Sequence, residues 1–480
     1  MAILSIDQGT SGTKALIVSA EGAVLAKGFA PVELTYLAGG GVECDAELLW
    51  QSVITAAAMA HGNWDGGKQG IEAVALANQG ESVLAWDPDS MRALSPMIIW
   101  QDSRSASLCE ARLEYADLVR MRTGLTLDPY FVAPKMAWLR ENVTRAGVVT
   151  TSDAWMIARL AGAFVTDVAT ASRSLVFDIH RQCWDSELLD IWGLGAERLP
   201  TVVANAGIVG SIACADLKFL RDVPLAGLIV DQPAALFAQS CLVPGQTKCT
   251  YGTGAFLLAN IGAAPRMSTH GLVTSIAWNM RGESAYYYDG QVFTAGSAVQ
   301  WLVECGLLAG VHEIDALPRD ARGIVASPGF AGYGAPRWQP RGTASIAGLS
   351  LASTRQELAR AVVDGVAAQV AELIGAMGAD AVPVQRLRVD GGLTQCRTLM
   401  QAQADLAQVP IDVYPHPDAT AIGAAALARL ALHPALRPAD AIPVWRAQQT
   451  YEPEWSSDRA QEFLHRWRMV AKHTLNAPDG

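Results

Sequence analysis

Acidic side chains stand at the ends of short apolar segments, directly before a turn or a helix. Asp7 ends one such segment and Asp231 ends another. A carboxylate at the end of a strand projects beyond the edge of its sheet, where it can reach a ligand. Mg²⁺ is commonly held by one or two carboxylates together with nucleotide phosphates. Asp7 is therefore a candidate magnesium-associated residue; the alternative is an Asx turn within a hairpin, which uses the same residue type.

The residues after Asp7 contain the parts of a phosphate-binding loop. Residues 5–14 read SIDQGTSGTK, with glycines, hydroxyls and a lysine. The spacing fits neither the Walker A pattern nor the dinucleotide G-x-G-x-x-G pattern. Turn amides between Gly9 and Gly12 can still form an anion-binding nest. Two later glycine turns, at 251–254 and 390–392, would let backbone amides approach phosphates closely because glycine has no Cβ.

Asp231 is followed by Gln232, and this pair suits proton transfer from an alcohol. Phosphoryl transfer to a hydroxyl needs positioning, charge neutralisation and an acceptor for the hydroxyl proton. One carboxylate oxygen can take that proton while the neighbouring amide orients the hydroxyl. The pair also fits a simple cap for the Ala-rich helical segment that follows. From the two residues alone, both interpretations stay open.

The elements that must position these residues occur twice along the chain. Strand-like segments at 2–6 and 15–18 flank the first glycine turn, and residues 248–260 repeat the order strand, Gly-Thr-Gly turn, strand. A helical pattern at 46–60 and a buried strand at 73–77 follow the first hairpin. This repeat predicts two similar α/β domains that face each other across a cleft, with a boundary near residue 240. The alternative is two unrelated hairpins.

Composition and net charge indicate what kind of protein this is and which binding partners to expect. The 480 residues are 51% hydrophobic and 17% charged, and the net charge of −11 argues against a nucleic-acid partner. Eight cysteines without a C-x-x-C pair are typical of a reducing compartment. We see no signal peptide and no uninterrupted apolar run of roughly 18 residues that would span a membrane. We therefore expect a cytoplasmic, soluble, multi-domain protein with no membrane partner.

Further segments, taken with the motifs above, resemble a known family. In this order along nearly the whole chain, they are similar to the FGGY carbohydrate kinases of the actin, sugar-kinase and heat-shock ATPase superfamily. Within that family the glycerol kinases are the nearest branch. The segments that carry the resemblance, besides Asp-Gln-Gly-Thr, Asp-Gln, Tyr-Gly-Thr-Gly and Asp-Gly-Gly, lie at 99–102, 128–131, 175–180, 295–301, 332–338, 344–349, 357–364 and 399–405.

The resemblance implies a fold, a reaction and a set of site residues. The fold would be two ribonuclease-H-like domains flanking a cleft, with 1–240 binding a polyol or sugar and 241–480 binding the nucleotide. The reaction would be transfer of phosphate from ATP, with Mg²⁺, to a small-molecule polyol or sugar, and the assembly a homodimer or homotetramer. Asp231 falls on the position of the catalytic base, and Asp7 on that of a magnesium-associated carboxylate. The nucleotide-contact positions are Thr10, Ser11, Thr253, Gly296, Gln300 and Gly392, and the polyol-contact positions are Glu81, Trp100, Tyr130, Asp231, Gln232 and Phe256.

Departures from the glycerol-kinase pattern leave the acceptor open. Gly80 stands where glycerol kinases have an arginine, so a bidentate cation for the substrate hydroxyls is missing and space is gained. Pro233 replaces a second glutamine, and Cys396 replaces a nucleotide-contacting asparagine. Lys14 resembles the xylulose-kinase version of the first loop, although the histidine motif typical of those enzymes is absent. Glycerol is the leading acceptor; the alternatives are a pentulose (xylulose-type) or tetritol kinase and, in another class, a non-catalytic nucleotide-binding relative.

Overall fold

The computed structural model describes residues 2–66 and 70–474. The first half of the chain contributes these strands: β1 (Ala2–Gly9), β2 (Gly12–Ser19), β3 (Val24–Pro31), β4 (Thr35–Leu37), β5 (Gly41–Cys44), β6 (Ile71–Asn78), β7 (Val83–Trp86), β8 (Met97–Ile98), β9 (Val148–Thr151), β10 (Val165–Asp167), β11 (Phe177–Asp178), β12 (Cys183–Trp184), β13 (Thr201–Val203), β14 (Ile208–Ser211) and β15 (Pro224–Val230). Its helices are α1 (Ala46–Gly62), α2 (Ala106–Glu110), α3 (Ala116–Thr123), α4 (Val132–Asn142), α5 (Ser152–Ala161), α6 (Val168–Ala171), α7 (Ser186–Ile191) and α8 (Asp231–Ala238).

The second half is built in the same way. Its strands are β16 (Thr247–Tyr251), β17 (Ala255–Gly262), β18 (Val273–Met280), β19 (Glu283–Val292), β20 (Val325–Ser327), β21 (Ser345–Ala347), β22 (Leu387–Asp390), β23 (Ile411–Val413) and β24 (Gln449–Tyr451). Its helices are α9 (Gly296–Glu304), α10 (Arg355–Ala379), α11 (Arg397–Ala407), α12 (Ala419–Leu432), α13 (Pro438–Ala441) and α14 (Ser457–Thr474). Short 3₁₀ helices lie between some of these elements.

The two central sheets share one topology. The first has the order β14-β15-β6-β1-β2-β3, and the second has the order β18-β19-β17-β16-β22-β23-β24. In each, three antiparallel strands, β1-β2-β3 or β16-β17-β19, are extended by two parallel strands, β6 and β15 or β22 and β23. The second sheet has β18 as an additional strand beside β19. This is the ribonuclease-H-like arrangement, and it confirms the predicted α/β fold with a repeated unit.

Local sequence explains the first unit well. The inner strands β1 and β6 are nearly continuous apolar runs because the sheet is covered on both faces. Helix α1 begins after Asp45, whose carboxylate accepts hydrogen bonds from the backbone amides of Glu47 and Leu48. Its apolar face, which includes Leu49 and Val53, is buried against β2 and β3. The predicted hairpin and the predicted helix at 46–60 are both present.

One helix of the second half packs on the sheet of the first. Helix α12 lies against β1, β6, β15 and α8. The hydroxyl of Ser5 donates to the carbonyl of Ala421 at 2.7 Å. A Cβ at Gly423 would lie 2.0 Å from the carbonyl oxygen of Ala234, so only glycine allows this approach. The predicted boundary near residue 240 lies between the two sheets, but α12 packs across it onto the first sheet. The division into 1–240 and 241–480 stays a prediction.

Helix α10 is the one described helix long and apolar enough to cross a membrane by length and composition. Of its most apolar 18-residue window, 83% is buried inside the structure. The helix begins with a capping box, in which Thr354 and Glu357 bond to each other's backbone amides. It packs against α11 and β20, so its apolar faces are covered by the protein itself.

Candidate active site

A cavity of about 200 Å³ opens between the two sheets, where β1, β6, β15 and β16 end. Residues from both halves of the chain line it. The predicted site residues in its wall are Thr10, Ser11, Glu81, Trp100, Tyr130, Asp231, Gln232, Thr253 and Phe256. Four predicted site residues lie outside this wall: Asp7, Gly296, Gln300 and Gly392.

A small sheet brings Glu81 and Trp100 to the same place. Strands β7 and β8 pair through Val83 and Ile98, in antiparallel register. Glu81 lies two residues before Val83, and Trp100 lies two residues after Ile98. Because the two strands are antiparallel, both residues lie at the same end of this strand pair. Glu81 is buried and has φ = 54°, in the left-handed region that side chains other than glycine seldom adopt. A backbone held in that region often marks a functional position.

Three aromatic rings form one side of the cavity. The ring of Trp100 meets the rings of Tyr130 and Phe256 edge-on, with centroids 5.9 and 5.7 Å away. These geometries are favourable for aromatic pairs. The indole Nε1 of Trp100 also donates to the Thr10 hydroxyl at 2.8 Å. The aromatic wall is therefore attached directly to the first phosphate-loop candidate.

Asp231 is the first residue of α8 and follows β15 directly. Its Oδ1 accepts a hydrogen bond from the backbone amide of Gln232 at 2.7 Å, and its Oδ2 lies 3.4 Å from the Gln232 side-chain nitrogen. The pKa of Asp231 is raised to about 6, mainly by burial and also by the charge of Asp7, while Lys248 opposes the shift. A carboxylate with such a pKa is mostly ionised at neutral pH yet basic enough to take a proton.

Lys248 is a buried lysine that the sequence analysis did not predict as a site residue. Its ammonium donates to the Gln232 side-chain oxygen and, at 2.8 Å, to the Thr250 hydroxyl. The Thr250 hydroxyl in turn donates to Asp390 at 2.6 Å. This chain of bonds connects the Asp-Gln pair with the Asp-Gly-Gly turn. A lysine within the buried strand β16 is the signal that could have identified it.

Arg173 is a second functional candidate that the sequence reading missed. It lines the cavity, is 3% exposed, and its Nε donates to Glu81 Oε1 at 2.6 Å. Its Nη2 lies 2.9 Å from Asp289, which also lines the cavity. Both residues were detectable as charges within apolar stretches, Arg173 at 168–179 and Asp289 in β19.

The fit of a magnesium ion depends on the acids near the cavity. Asp7 lies near the end of β1, opposite Lys14 in the β1–β2 register. The pKa of Asp7 is raised to about 6, mainly by burial; Lys14 opposes the shift, and Asp418 and Asp390 add to it. Asp418 is itself paired with Lys14 and Lys27. A divalent cation beside Asp7 would offset the repulsion that the other carboxylates exert on it. In the described ranges no group of three or more His, Cys, Asp and Glu residues could hold a metal alone, so phosphate oxygens would have to complete the coordination.

Two glycine-containing segments from elsewhere in the second half lie against the turn after β16. A Cβ at Gly296 would lie 2.5 Å from the Gly252 carbonyl oxygen, and one at Gly391 would lie 2.3 Å from that of Tyr251. Gly391 also has φ = 96°, which favours glycine. Gln300 lies one turn further along α9, is exposed, and donates to Glu304 at 3.1 Å. The turn at 251–254 is thus enclosed by the segments that contain Gly296 and Gly392, while Gln300 faces outward.

The fold and the cavity together define a class of protein. Two ribonuclease-H-like units that enclose a cleft with carboxylates and glycine turns belong to the two-domain, actin-like ATPase class. Models of the FGGY family of carbohydrate kinases match the chain, the N-terminal domain over residues 2–238 and the C-terminal domain over residues 247–432. The chain belongs to the FGGY family of carbohydrate kinases. The predicted enzyme class, an ATP-dependent carbohydrate kinase, is confirmed.

Individual relatives resemble the chain over its whole length. The glycerol kinase of Dechloromonas aromatica is 39% identical, with 99% of this chain and 97% of that protein covered. The glycerol kinase of Thermus brockianus is 40% identical, with 98% of each covered. The crystal structure of Plasmodium falciparum glycerol kinase with ADP has a TM-score of 0.90 at 27% identity and covers 99% of this chain and 98% of that one. A xylulose kinase from Lactobacillus acidophilus has a TM-score of 0.88 at 20% identity, a likeness that concerns the fold alone.

Proposed function

We propose that the protein transfers the γ-phosphate of ATP to a hydroxyl of glycerol. The observation that carries this proposal is the position of Asp231 and Gln232. They lie in one cavity with the aromatic wall on the polyol side and the Thr253 glycine turn on the phosphate side. Full-length relatives that are glycerol kinases support the same acceptor.

The residues on the acceptor side are suited to a small polyol. The carboxylates of Glu81 and Asp231 accept hydrogen bonds from hydroxyl groups. The rings of Trp100, Tyr130 and Phe256 cover the carbon side of the acceptor and exclude water from it. Exclusion of water limits the wasteful hydrolysis of ATP.

Asp231 is the group that receives the hydroxyl proton. Gln232 orients that hydroxyl, and Lys248 holds the Gln232 side chain in place through its bond to the amide oxygen. The backbone amides of the 251–254 turn, with the hydroxyls of Thr10 and Ser11, surround the transferring phosphate. Asp7 is the residue that would hold Mg²⁺, and a bound Mg²⁺ would supply positive charge against the phosphates. The oxygen of the acceptor hydroxyl attacks the γ-phosphorus and its proton passes to Asp231, while the bond from that phosphorus to the bridging oxygen breaks and ADP leaves.

A second acceptor class is favoured by Gly80. It lines the cavity, and a Cβ there would meet one atom within 4 Å, Val230 Cγ2 at 3.1 Å. The space that a longer side chain would fill is available to a longer substrate. A tetritol or a pentulose is therefore the alternative acceptor.

A substrate panel tests the proposal. ADP release is measured with the purified protein, ATP and Mg²⁺ against glycerol, erythritol, D-xylulose and D-ribulose. We expect the highest kcat/KM with glycerol. A tenfold preference for a pentulose would replace glycerol as the acceptor, and ADP release no faster with any of them than with ATP alone would contradict the kinase proposal.

We also infer a cytoplasmic location and a homodimer or homotetramer, with the first half binding the acceptor and the second the nucleotide. The described cysteines are all free thiols, which fits a reducing compartment. Glu81, Trp100 and Asp231 lie in the first half, and the turn at 251–254 lies in the second. Light scattering on the purified protein measures the assembly, and a monomer at micromolar concentration would contradict it.

A further inference from the structure

Arg173 joins the two halves of the molecule at the floor of the cavity. It follows α6 in the first half and is bonded to Glu81 there. Its Nη1 donates to the Ser275 hydroxyl at 3.0 Å and to the Tyr287 hydroxyl at 3.4 Å, and its Nη2 lies 2.9 Å from Asp289. These three partners belong to β18 and β19 of the second half. One guanidinium therefore bonds to groups from both halves.

The bond to Glu81 fixes one oxygen of that carboxylate. Glu81 Oε1 accepts a hydrogen bond from Arg173. Among the described residues, no group donates a hydrogen bond to Glu81 Oε2. Glu81 lines the cavity, and both charged side chains are about 5% exposed or less. A buried carboxylate without a cation would be strongly disfavoured as an ion. Burial raises the pKa of Glu81, and Arg173 opposes that shift. The bond to Arg173 also orients the carboxylate and leaves its other oxygen available to an acceptor.

Arg173 is itself held rigidly. Asp289 Oδ2 lies against its Nη2 and also accepts from the Gln291 side chain. The rings of Tyr130 and Phe131 lie 5.8 and 5.2 Å from its Cζ, within the range of cation–π contact. A guanidinium fixed by charge, hydrogen bonds and rings is suited to position a neighbour.

We propose that Arg173 is the positioning residue of the acceptor subsite: it links Glu81 to Asp289 across the two halves and presents the other Glu81 oxygen to the acceptor hydroxyls. This inference rests on the proposed function. If Arg173 formed only a structural ion pair between the halves, its loss would lower stability and raise the Michaelis constants for ATP and for the acceptor equally. A positioning role predicts a rise in the acceptor KM alone.

The central experiment separates the Michaelis constants of the two substrates. Arg173→Met and Arg173→Lys are compared with the wild type, with ATP and whichever acceptor of the panel the wild type uses best. Loss of a charge-assisted hydrogen bond to a buried carboxylate raises the acceptor KM by about tenfold or more. The KM for ATP stays within about twofold, and Arg173→Lys recovers part of the acceptor affinity. Equal increases in both constants, or an unchanged acceptor KM, would overturn the proposal.

A matched control removes a similar ion pair elsewhere. Arg360 and Asp364 in α10 are both buried and pair at 2.8 Å, and neither lines the cavity. Arg360→Met is expected to lower the melting temperature without raising the acceptor KM relative to the KM for ATP. If it raised that ratio as much as Arg173→Met does, Arg173 would have a structural role only.

A further variant covers a failure of Arg173→Met to fold. Asp289→Asn keeps the shape of the side chain and removes the charge that holds the guanidinium. It is expected to raise the acceptor KM several-fold, and no rise overturns the proposal. A wild type that uses no acceptor refutes the proposed function, whereas an active wild type with unaffected variants refutes this inference alone.

Discussion

Asp231 is the residue on which the proposed proton transfer depends. Asp231→Asn keeps the shape of the side chain and removes its basicity, so kcat should fall by about 10²–10⁴-fold. Binding of ATP-Mg²⁺, measured by calorimetry, should persist. Asp167→Asn is the matched control, since Asp167 also ends a strand before a helix, α6, and is buried. Phosphorylation by Asp231→Asn at a rate near that of the wild type would show that another group is the base.

The pKa of Asp231 also predicts how the rate depends on pH. The base acts in its ionised form, and burial raises its pKa to about 6. Below pH 6, kcat/KM for the acceptor should therefore fall by at least about tenfold per pH unit, because Asp7 also has a pKa of about 6, and above it the rate should level off. Because the charge of Lys248 lowers this pKa, Lys248→Met should move the profile to higher pH. The profile is measured between pH 4.5 and 8, with circular dichroism at each pH to show that the protein stays folded; an unmoved profile would argue against the coupling.

The sequence predicted some of the residues of the site but not all of them. Glu81, Trp100 and Asp231 were expected together, and one cavity contains all three. Arg173 and Lys248 were not predicted because their roles depend on contacts between segments far apart in the chain. Their side chains fit no motif. Only the unfavourable burial of a charge within an apolar segment hinted at them.

At the scale of elements, the packing of α9 on the 251–254 turn gives a test of the nucleotide side. The Cβ added by Gly296→Ala would lie 2.5 Å from the Gly252 carbonyl oxygen, so the turn must shift. We expect the KM for ATP to rise several-fold while the acceptor KM changes little. Initial-rate kinetics with each substrate varied in turn measure both.

The control for this variant is a glycine without neighbours. Gly375 lies in α10, and a Cβ there would meet no atom within 4 Å. Gly375→Ala should leave both Michaelis constants unchanged and stabilise the protein by about 0.5–1 kcal/mol, because alanine loses less backbone entropy in a helix. If Gly296→Ala behaved in the same way, the α9 contact would have no part in nucleotide binding.

Elements with local signals were predictable from the sequence, and those fixed by distant contacts were not. The β1–β2 and β16–β17 hairpins and helix α1 have turn residues or a helical period in their own segments. The position of α12 on the first sheet has no such signal. It follows from apolar alanines and the close approach of Gly423 to Ala234, which only the folded chain brings together. Strand β19 has no such signal either, although its residues Tyr287 and Asp289 line the cavity.

At the scale of the whole molecule, the two halves share one stabilising interface. Helix α12 and the first sheet form a continuous buried cluster that includes Leu427 and Ile229. Arg173 adds a buried ionic link between the halves on the cavity side. A change that loosens one half therefore exposes apolar surface of the other. We expect the full chain to unfold in a single cooperative transition.

A fragment of residues 1–240 tests this interdependence and the predicted division of the chain. It lacks α12, so the faces of β1, β6, β15 and α8 that this helix covers would be exposed to water. An apolar patch of that size promotes association. The fragment should bind a hydrophobic dye, melt without a cooperative transition and associate in light scattering, whereas co-expression with residues 241–480 should restore a soluble complex. A monomeric fragment that melted cooperatively near the temperature of the full chain would show that the first half is an autonomous domain and that α12 only docks on it.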